Sequence, residues 1–345
     1  MLPIAVDAMG GDHAPGAIVA GARAAAAAGT PIVLVGPPDL GQQVDIGDLA
    51  LITAGEVIEM NEDGGRAVRR KKDSTLVRAA EAVRDGHASA MISAGNTGAT
   101  MASALLRMGR IPGVSRPAIA TIIPVPGGRP TVLLDAGANA EVQPDWLVQF
   151  AHMGAIFSRH RFGLDTPKVG LLSIGEEPGK GDSLRKEAYE LLTAAVSTAN
   201  VSQFEFVGNV EGRDVMGDAA DVIVTDGFTG NVVLKALEGS LRAIVRGLLD
   251  AFGSTPEYKQ HADALMPAML PLYTTLDPET YGGAMLLGVD GVCIISHGSS
   301  SDRAILNAVN VAREMVEGDV VAEISRAIRP EAPVDAEEAV DEAVN

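Results

Sequence analysis

The chain holds one cysteine among 345 residues. No disulfide and no cysteine-based metal site can form within a single chain, and a reducing, cytoplasmic setting is expected. Cys293 lies in the apolar run Gly291-Val292-Cys293-Ile294-Ile295, with no polar base nearby in sequence, and reads as core. Aromatic residues make up only 3%, so Val, Ile, Leu, Ala and Met must fill the interior. Basic residues are outnumbered, 27 Lys and Arg against 45 Asp and Glu, for a net charge of −18. That balance excludes a nonspecific nucleic-acid binder, which needs a basic surface. It also opposes adsorption to anionic lipid by charge, and an acidic partner would need a local basic patch. The most apolar long run, from Ala14 to Val35, is broken by Arg23, Gly29 and Pro31, so no membrane-spanning helix is expected. Met1-Leu2-Pro3 leads straight into a strand pattern, and no secretory signal is expected.

Several catalytic templates are missing too. No G-x-G-x-x-G follows a strand, no G-x-S-x-G elbow occurs and no H-E-x-x-H is present. None of the six histidines shows metal-ligand spacing, and no metal site is expected.

What is present is an alternation. Short apolar, β-branched runs end in Gly, Asp, Asn or Ser and give way to helical patterns. The runs are Ile4 to Val6, Ile32 to Val35, Ala90 to Ser93, Thr131 to Leu134, Val169 to Ile174, Phe204 to Val207, Val222 to Thr225 and Val292 to Ser296. Continuous apolar strands alternating with helices predict an α/β fold, three layers with a doubly wound, mostly parallel sheet. Val233, Leu237, Leu241, Val245 and Leu248 form one stripe and predict a long helix over about 230–252. Asp302 is the expected cap of the last long helix. No interior linker divides the chain, so residues 1–330 are expected to form one domain. The remainder, 331–345, carries six acidic residues from Glu331 to Glu342 and no Lys or Arg, and reads as a solvated tail.

Polar, glycine-rich loops follow the strands, where open α/β sheets bind ligands. The first contains Asp7, Gly10, Gly11, Asp12 and His13. The glycines either admit a ligand to the main chain or serve the turn alone. Next come Gly95-Asn96-Thr97-Gly98, an anion nest at a helix start or a plain Thr97 cap, and Asp135-Ala136-Gly137-Ala138-Asn139. In Gly175-Glu176-Glu177-Pro178-Gly179-Lys180-Gly181-Asp182, Lys180 stands between two glycines, as a mobile cation for phosphate or a developing oxyanion would. The loop is not a Walker A motif, which needs Gly where Lys180 stands. Asn209-Val210-Glu211-Gly212-Arg213-Asp214 and Thr225-Asp226-Gly227-Phe228-Thr229-Gly230-Asn231 complete the set. Asn231 is either a hydrogen-bond donor to an oxyanion or a helix cap.

Taken in order, these motifs resemble the bacterial phosphate acyltransferases of phospholipid synthesis, the PlsX family. The signatures are Val6-Asp7-Ala8-Met9-Gly10-Gly11-Asp12, Ser93-Ala94-Gly95-Asn96-Thr97-Gly98-Ala99, Leu134-Asp135-Ala136-Gly137-Ala138-Asn139, Ile174-Gly175-Glu176-Glu177, Lys180-Gly181, Glu211-Gly212-Arg213-Asp214, Asp226-Gly227-Phe228-Thr229-Gly230-Asn231 and Tyr281-Gly282-Gly283-Ala284. The resemblance covers nearly the whole chain, about residues 3 to 328. The resemblance implies a fold like that of isocitrate and isopropylmalate dehydrogenases and of phosphotransacetylases, with a protruding helical tip. It implies attack of inorganic phosphate on the thioester of acyl carrier protein, giving acyl phosphate, with no cofactor. Lys180 and Asn231 match the positions that stabilise the oxyanion in that family. Asp7, Gly10, Gly11, Asp12, His13, Asn96, Thr97 and Asn139 would shape the phosphate end of the pocket. Asp182 departs from the Asn often found after the Lys-Gly pair and reads as a helix cap.

The resemblance further implies a homodimer at the cytoplasmic membrane surface, supplying a membrane-embedded glycerol-3-phosphate acyltransferase. The densest basic run, Arg66, Arg69, Arg70, Lys71 and Lys72, is the candidate carrier-protein patch, with Arg107, Arg110 and Arg116 as a second cluster; a solvated charge run is the alternative. The apolar segment Leu265 to Tyr273, interrupted by prolines, is either a membrane contact or a dimer contact. Other readings of the chain are an acyl-CoA phosphotransacetylase, a non-catalytic carrier-protein or membrane scaffold, and a decarboxylating dehydrogenase. The last needs a metal and a nicotinamide, for which the sequence lacks the Asp cluster and the cofactor loop.

Overall fold

The computed structural model describes residues 1–198 and 203–328. The acidic stretch 331–345 lies outside them. The strands are β1 (Ile4–Asp7), β2 (Ile32–Gly36), β3 (Ala50–Thr53), β4 (Ala90–Ser93), β5 (Ala118–Ile123), β6 (Thr131–Leu134), β7 (Lys168–Leu172), β8 (Glu205–Val210), β9 (Val222–Val224), β10 (Ala284–Leu287) and β11 (Val292–Ile295). The helices are α1 (Gly16–Ala27), α2 (Leu40–Gln43), α3 (Gly64–Arg70), α4 (Thr75–Arg84), α5 (Thr97–Arg107), α6 (Pro144–Phe162), α7 (Ser183–Thr198), α8 (Gly227–Phe252), α9 (Pro256–Leu276), α10 (Asp302–Glu317) and α11 (Val320–Ile328).

All eleven strands join one sheet in the order β3-β2-β1-β4-β11-β10-β5-β6-β9-β7-β8. Neighbours within β3-β2-β1-β4-β11 are parallel, as are those within β6-β9-β7-β8. Between these blocks β10 runs antiparallel to both β11 and β5, and β5 runs antiparallel to β6. The two parallel blocks therefore point in opposite directions. The expected α/β fold with a mostly parallel sheet is present, and its two halves present their strand ends at opposite edges.

Alternate residues of the central strands feed two cores, as the period of two requires. Ile4 and Val6 join a cluster with Ile18, Phe150, Phe157 and Ile305, beneath α1, α6 and α10. Ala5, Met91 and Cys293 join another with Leu76, Ala80 and Ala104, beneath α4 and α5. The layers are thus helix, sheet and helix.

Two caps differ from expectation. Ser301, not Asp302, caps α10, because its hydroxyl accepts from the Ala304 N–H while Asp302 already sits in the first turn. The long helix starts at Gly227 rather than near Gly230, because the Asp226 carboxylate accepts from the Thr229 N–H and sets the start earlier.

Helices α8 and α9 form a hairpin that projects from the body. On α8 only Gly227 and Gly230 are buried, and on α9 no residue is. Pro267 and Pro271 do not interrupt α9, which runs through both. Among the described residues no helix is long and apolar enough to cross a membrane.

Candidate active site

The loops after β1 and β4 meet at one edge of the sheet. Asp7 is buried and accepts from the Ser93 hydroxyl at 2.7 Å and from the Met9 N–H at 3.2 Å. Burial pushes its carboxyl pKa above the ordinary value, although hydrogen bonds from Ser93, Thr75, Met9 and Gly10 pull the other way. Gly10 is required by packing. A Cβ there would lie 2.6 Å from Asp7 Oδ2 and 2.7 Å from both Ser93 Oγ and the Gly95 nitrogen. Gly11 adopts a φ of +108°, which a side chain would strain. Asp12 and His13 stand exposed beyond the turn.

Asn96, not Thr97, caps α5, accepting from the Ala99 N–H at 2.9 Å. Its amide also donates to the carbonyls of Met60 (3.0 Å) and Glu62 (2.8 Å), pinning the segment before α3. Thr97 is exposed in the first turn. In this cluster Asp7 and Asn96 are committed to internal bonds, and Asp12, His13 and Thr97 face outward.

A second cluster forms at the ends of β6, β7 and β9. Its hub is Asp135, fully buried, a residue that the sequence reading did not single out. Its carboxylate accepts from the N–H groups of Ile119, Gly137, Ala138 and Asn139 and from the Asn139 amide, at 2.7 to 3.0 Å. Burial raises its pKa against those bonds. The Asn139 amide also donates to the Pro117 carbonyl at 2.8 Å, so it braces the loop from within. Helix α8 presses directly on this loop. A Cβ on Gly227 would meet the Asn139 carbonyl oxygen at 2.6 Å, and one on Gly230 would overlap the Asp135 carbonyl oxygen.

Lys180 lies in the exposed loop between β7 and α7. Its stem passes over Gly175, where a Cβ would come within 2.8 Å of Lys180 Cγ. No hydrogen bond or ion pair engages its amine among the described residues. Asp182 caps α7 as expected, accepting from the Arg185 N–H at 2.9 Å. Beside the loop is a cavity of about 330 Å³ lined by Leu172, Ser173, Ile174, Gly181, Asp182, Arg185 and Thr229. The Arg185 guanidinium donates to Asp226, to Thr225 Oγ1 and Thr229 Oγ1 at 3.2 Å, and to Asp182 at 3.1 Å. Partial burial opposes the charge on Asp226, but bonds from Thr229 and Arg185 outweigh it and hold the carboxyl below its ordinary range.

Asn231 does not cap α8. It lies in the second turn, exposed, with its Cβ 3.6 Å from where a Cβ on Gly137 would be. Two residues earlier, Thr229 faces Arg185. Two helical positions are roughly 200° apart around the axis, so Asn231 and Thr229 look out on opposite sides of the α8 terminus.

The structure thus sets Asn139 and Asn231 beside the start of α8, and the Lys180 loop reaches that helix through Asp182 and Arg185. It places Asp7, Gly10, Gly11, Asp12, His13, Asn96 and Thr97 at the ends of the opposed strand block. Among the described residues no hydrogen bond or ion pair links the two groups. They share a floor: Ala138 and Leu234 pack on the same apolar cluster as Met101 and Ala102 of α5, which starts at Thr97. The basic run is divided. Lys71 and Arg70 pair with Glu62 at 2.5 and 2.7 Å, while Arg66, Arg69 and Lys72 are exposed. Among the described residues no group of His, Cys, Asp or Glu is arranged to hold a metal.

Arg185, Asp226 and Thr229 also escaped the sequence reading as site residues. Asp226-x-x-Thr229 at a strand end was a readable capping signal. Arg185 looked like an ordinary helix-surface charge.

Residues 2–323 match the family model described as "Fatty acid synthesis protein". A phosphate acyltransferase of Desulfitobacterium hafniense (strain Y51) is 46% identical over 334 residues, covering 94% of this chain and 97% of that one. One from Heliobacterium modesticaldum is 47% identical over 334 residues, with the same two shares covered. Among solved structures, the EutD phosphotransacetylase from Staphylococcus aureus aligns with a TM-score of 0.59 at 17% identity, over 91% of this chain and 94% of that one. A 4-hydroxythreonine-4-phosphate dehydrogenase from Klebsiella pneumoniae aligns with a TM-score of 0.52 at 13% identity, over 92% and 100%. These two likenesses concern the fold, which is shared by phosphotransacetylases and dehydrogenase-like enzymes. With its motifs, its fold and its full-length relatives in agreement, the chain belongs to the phosphate acyltransferase family and is an acyltransferase.

Proposed function

We propose that the protein moves a fatty acyl group from acyl carrier protein to inorganic phosphate, as a step of phospholipid synthesis. The observation that carries this reading is Lys180, an exposed amine with no partner among the described residues, which Gly175 leaves room for beside a cavity at the start of α8.

A phosphate oxygen attacks the thioester carbonyl carbon, and a C–O bond forms. The carbonyl oxygen becomes an oxyanion. Collapse of the tetrahedral species breaks the C–S bond, and the thiolate of the carrier protein leaves and takes up a proton. The products are acyl phosphate and free carrier protein. Lys180 supplies positive charge to the oxyanion, and the Asn231 amide supplies a donor. Donors so placed are each worth about 3 kcal/mol in the transition state. The chemistry needs no cofactor.

The carrier protein is acidic and this chain carries −18. Arg66, Arg69 and Lys72 are therefore the candidate docking charges. They lie on or just beyond α3, whose Gly64 packs against Gly98 and Ala99 at the start of α5. The α8–α9 hairpin is the candidate surface for a second copy and for the membrane, consistent with exposed Leu265, Met266, Leu270, Leu272 and Tyr273. In this reading the enzyme is a cytoplasmic homodimer held peripherally at the membrane, where it supplies a membrane-embedded glycerol-3-phosphate acyltransferase.

The test offers long-chain acyl carrier protein and long-chain acyl-CoA separately, with and without inorganic phosphate, and traps acyl phosphate as a hydroxamate. Phosphate-dependent product from the carrier-protein donor is expected. Product from acyl-CoA alone makes the protein a phosphotransacetylase. No product from either donor, with folded protein, leaves a scaffold role.

A further inference from the structure

We propose that Arg185 is a positioning residue that locks the Lys180 loop to the amino end of α8. The inference rests on the functional reading above and deepens it.

Four observations carry it. Arg185 is a short step from Lys180 in sequence, on the first turn of α7, and its side chain is only 12% exposed. One arm of its guanidinium reaches back to Asp182, directly after Lys180-Gly181, at 3.1 Å. The other arm crosses to α8, meeting Asp226, Thr225 Oγ1 and Thr229 Oγ1. Asp226 is itself the α8 cap, 8% exposed, bonded to the N–H and the hydroxyl of Thr229 at 2.8 Å.

The fork of a guanidinium suits this geometry and an ammonium does not. Arg presents several donors in a fixed plane, and here it spans two elements separated by about forty residues of chain. Gly181 allows the approach: a Cβ there would lie 2.7 Å from Arg185 Cβ and 2.9 Å from Ser173 Oγ. At φ +92° the position also favours glycine. The Lys180 loop and the helix bearing Asn231 arise from different strands, β7 and β9, and Arg185 bonds directly to both sides of that gap. Its own charge is taken up by Asp226 and Asp182, so it holds geometry and does not present a free cation to substrate.

The test measures kcat and KM for phosphate in Arg185→Ala and Arg185→Lys, each on the native and on the Lys180→Ala background. A misplaced group of this kind costs about 10²-fold in rate. Arg185→Ala is expected to lower kcat by about that factor while KM for phosphate changes less than about threefold. Arg185→Lys keeps the charge without the fork and is expected to recover only a small part of the loss. On the Lys180→Ala background, Arg185→Ala is expected to add almost nothing, because there is no amine left to place. Equal fold-losses on both backgrounds, full activity in Arg185→Ala, or a raised KM at unchanged kcat would each overturn the proposal. If Arg185→Ala does not fold, Arg185→Lys and Thr229→Val carry the same comparison. If the native protein makes acyl phosphate from no donor, the functional reading has failed. Hydrogen exchange then decides the brace: Arg185→Lys must speed exchange in both 175–182 and 227–231, and unchanged exchange in either segment overturns it.

Discussion

The Ser93 hydroxyl donates to the Asp7 carboxylate at 2.7 Å, joining the ends of two neighbouring parallel strands in a site closed to solvent. Ser93 in turn accepts from the Gly95 N–H at 2.9 Å. The pair holds the β1 and β4 loops in register beneath the exposed Asp12, His13 and Thr97.

Asp7 gives a pH signature. Its folded pKa is raised by burial above the ordinary 3.8. A raised folded pKa means that the native state holds its proton more tightly than the unfolded chain does. Its stabilising contribution is therefore full below 3.8 and is lost as pH rises through the folded pKa. Asp7→Asn is expected to cost more stability in mild acid than at pH 8. Denaturant titrations at the two pH values check this, and a cost that grows with pH contradicts it.

Gly230→Ala should be among the most damaging single-methyl changes in the chain. The new Cβ would overlap the Asp135 carbonyl oxygen, so α8 must shift away from the β6 loop. A loss of about 1–3 kcal/mol is expected from the overpacking, with activity lost beyond what stability explains because Asn231 moves with the helix. Gly239→Ala, in open space on the same helix, should be neutral or stabilising. Thermal melts and rates of the two variants decide the comparison.

Much of this was legible in sequence. The apolar runs at Ile4, Ala90, Thr131 and Val292 are strands because each is buried on both faces. Edge strand β3 escaped notice since Ala50 and Thr53 are exposed and no apolar face repeats. Strands β5 and β10 reverse direction between the parallel blocks, and that reversal depends on pairing between distant segments that no local pattern encodes. The polar residues at the strand ends were visible, but not which way they point. Asp7, Asn96 and Asn139 turn inward to satisfy backbone groups, whereas Lys180 has no side-chain partner among the described residues. Side-chain direction at a loop is set by the tertiary neighbours, which explains why Asp135 and Arg185 went unrecognised.

The single thiol should be inert in the native protein. Cys293 is fully buried, and burial pushes its pKa up to about 12. Iodoacetamide is expected to label it only after denaturation. Rapid native labelling, read by mass spectrometry, would contradict the packing of β11 against β4.

The hairpin predicts a charge-sensitive surface. Met266, Leu270 and Tyr273 recur at helical spacing on exposed α9. Met266→Glu combined with Leu270→Glu should reduce sedimentation with phospholipid vesicles by tenfold or more, given about 2 kcal/mol per buried apolar side chain, and leave the melting temperature unchanged. Undiminished vesicle binding removes α9 as the lipid contact.

The most direct test of the central claim follows acyl phosphate formation from long-chain acyl carrier protein and inorganic phosphate in the native protein and in Lys180→Ala. A phosphate-dependent hydroxamate product is expected that falls by about 10²- to 10³-fold in the variant, the loss expected for one oxyanion partner, with folding unchanged. Equal rates in the two proteins would contradict it, because the amine above Gly175 would then have no part in the chemistry.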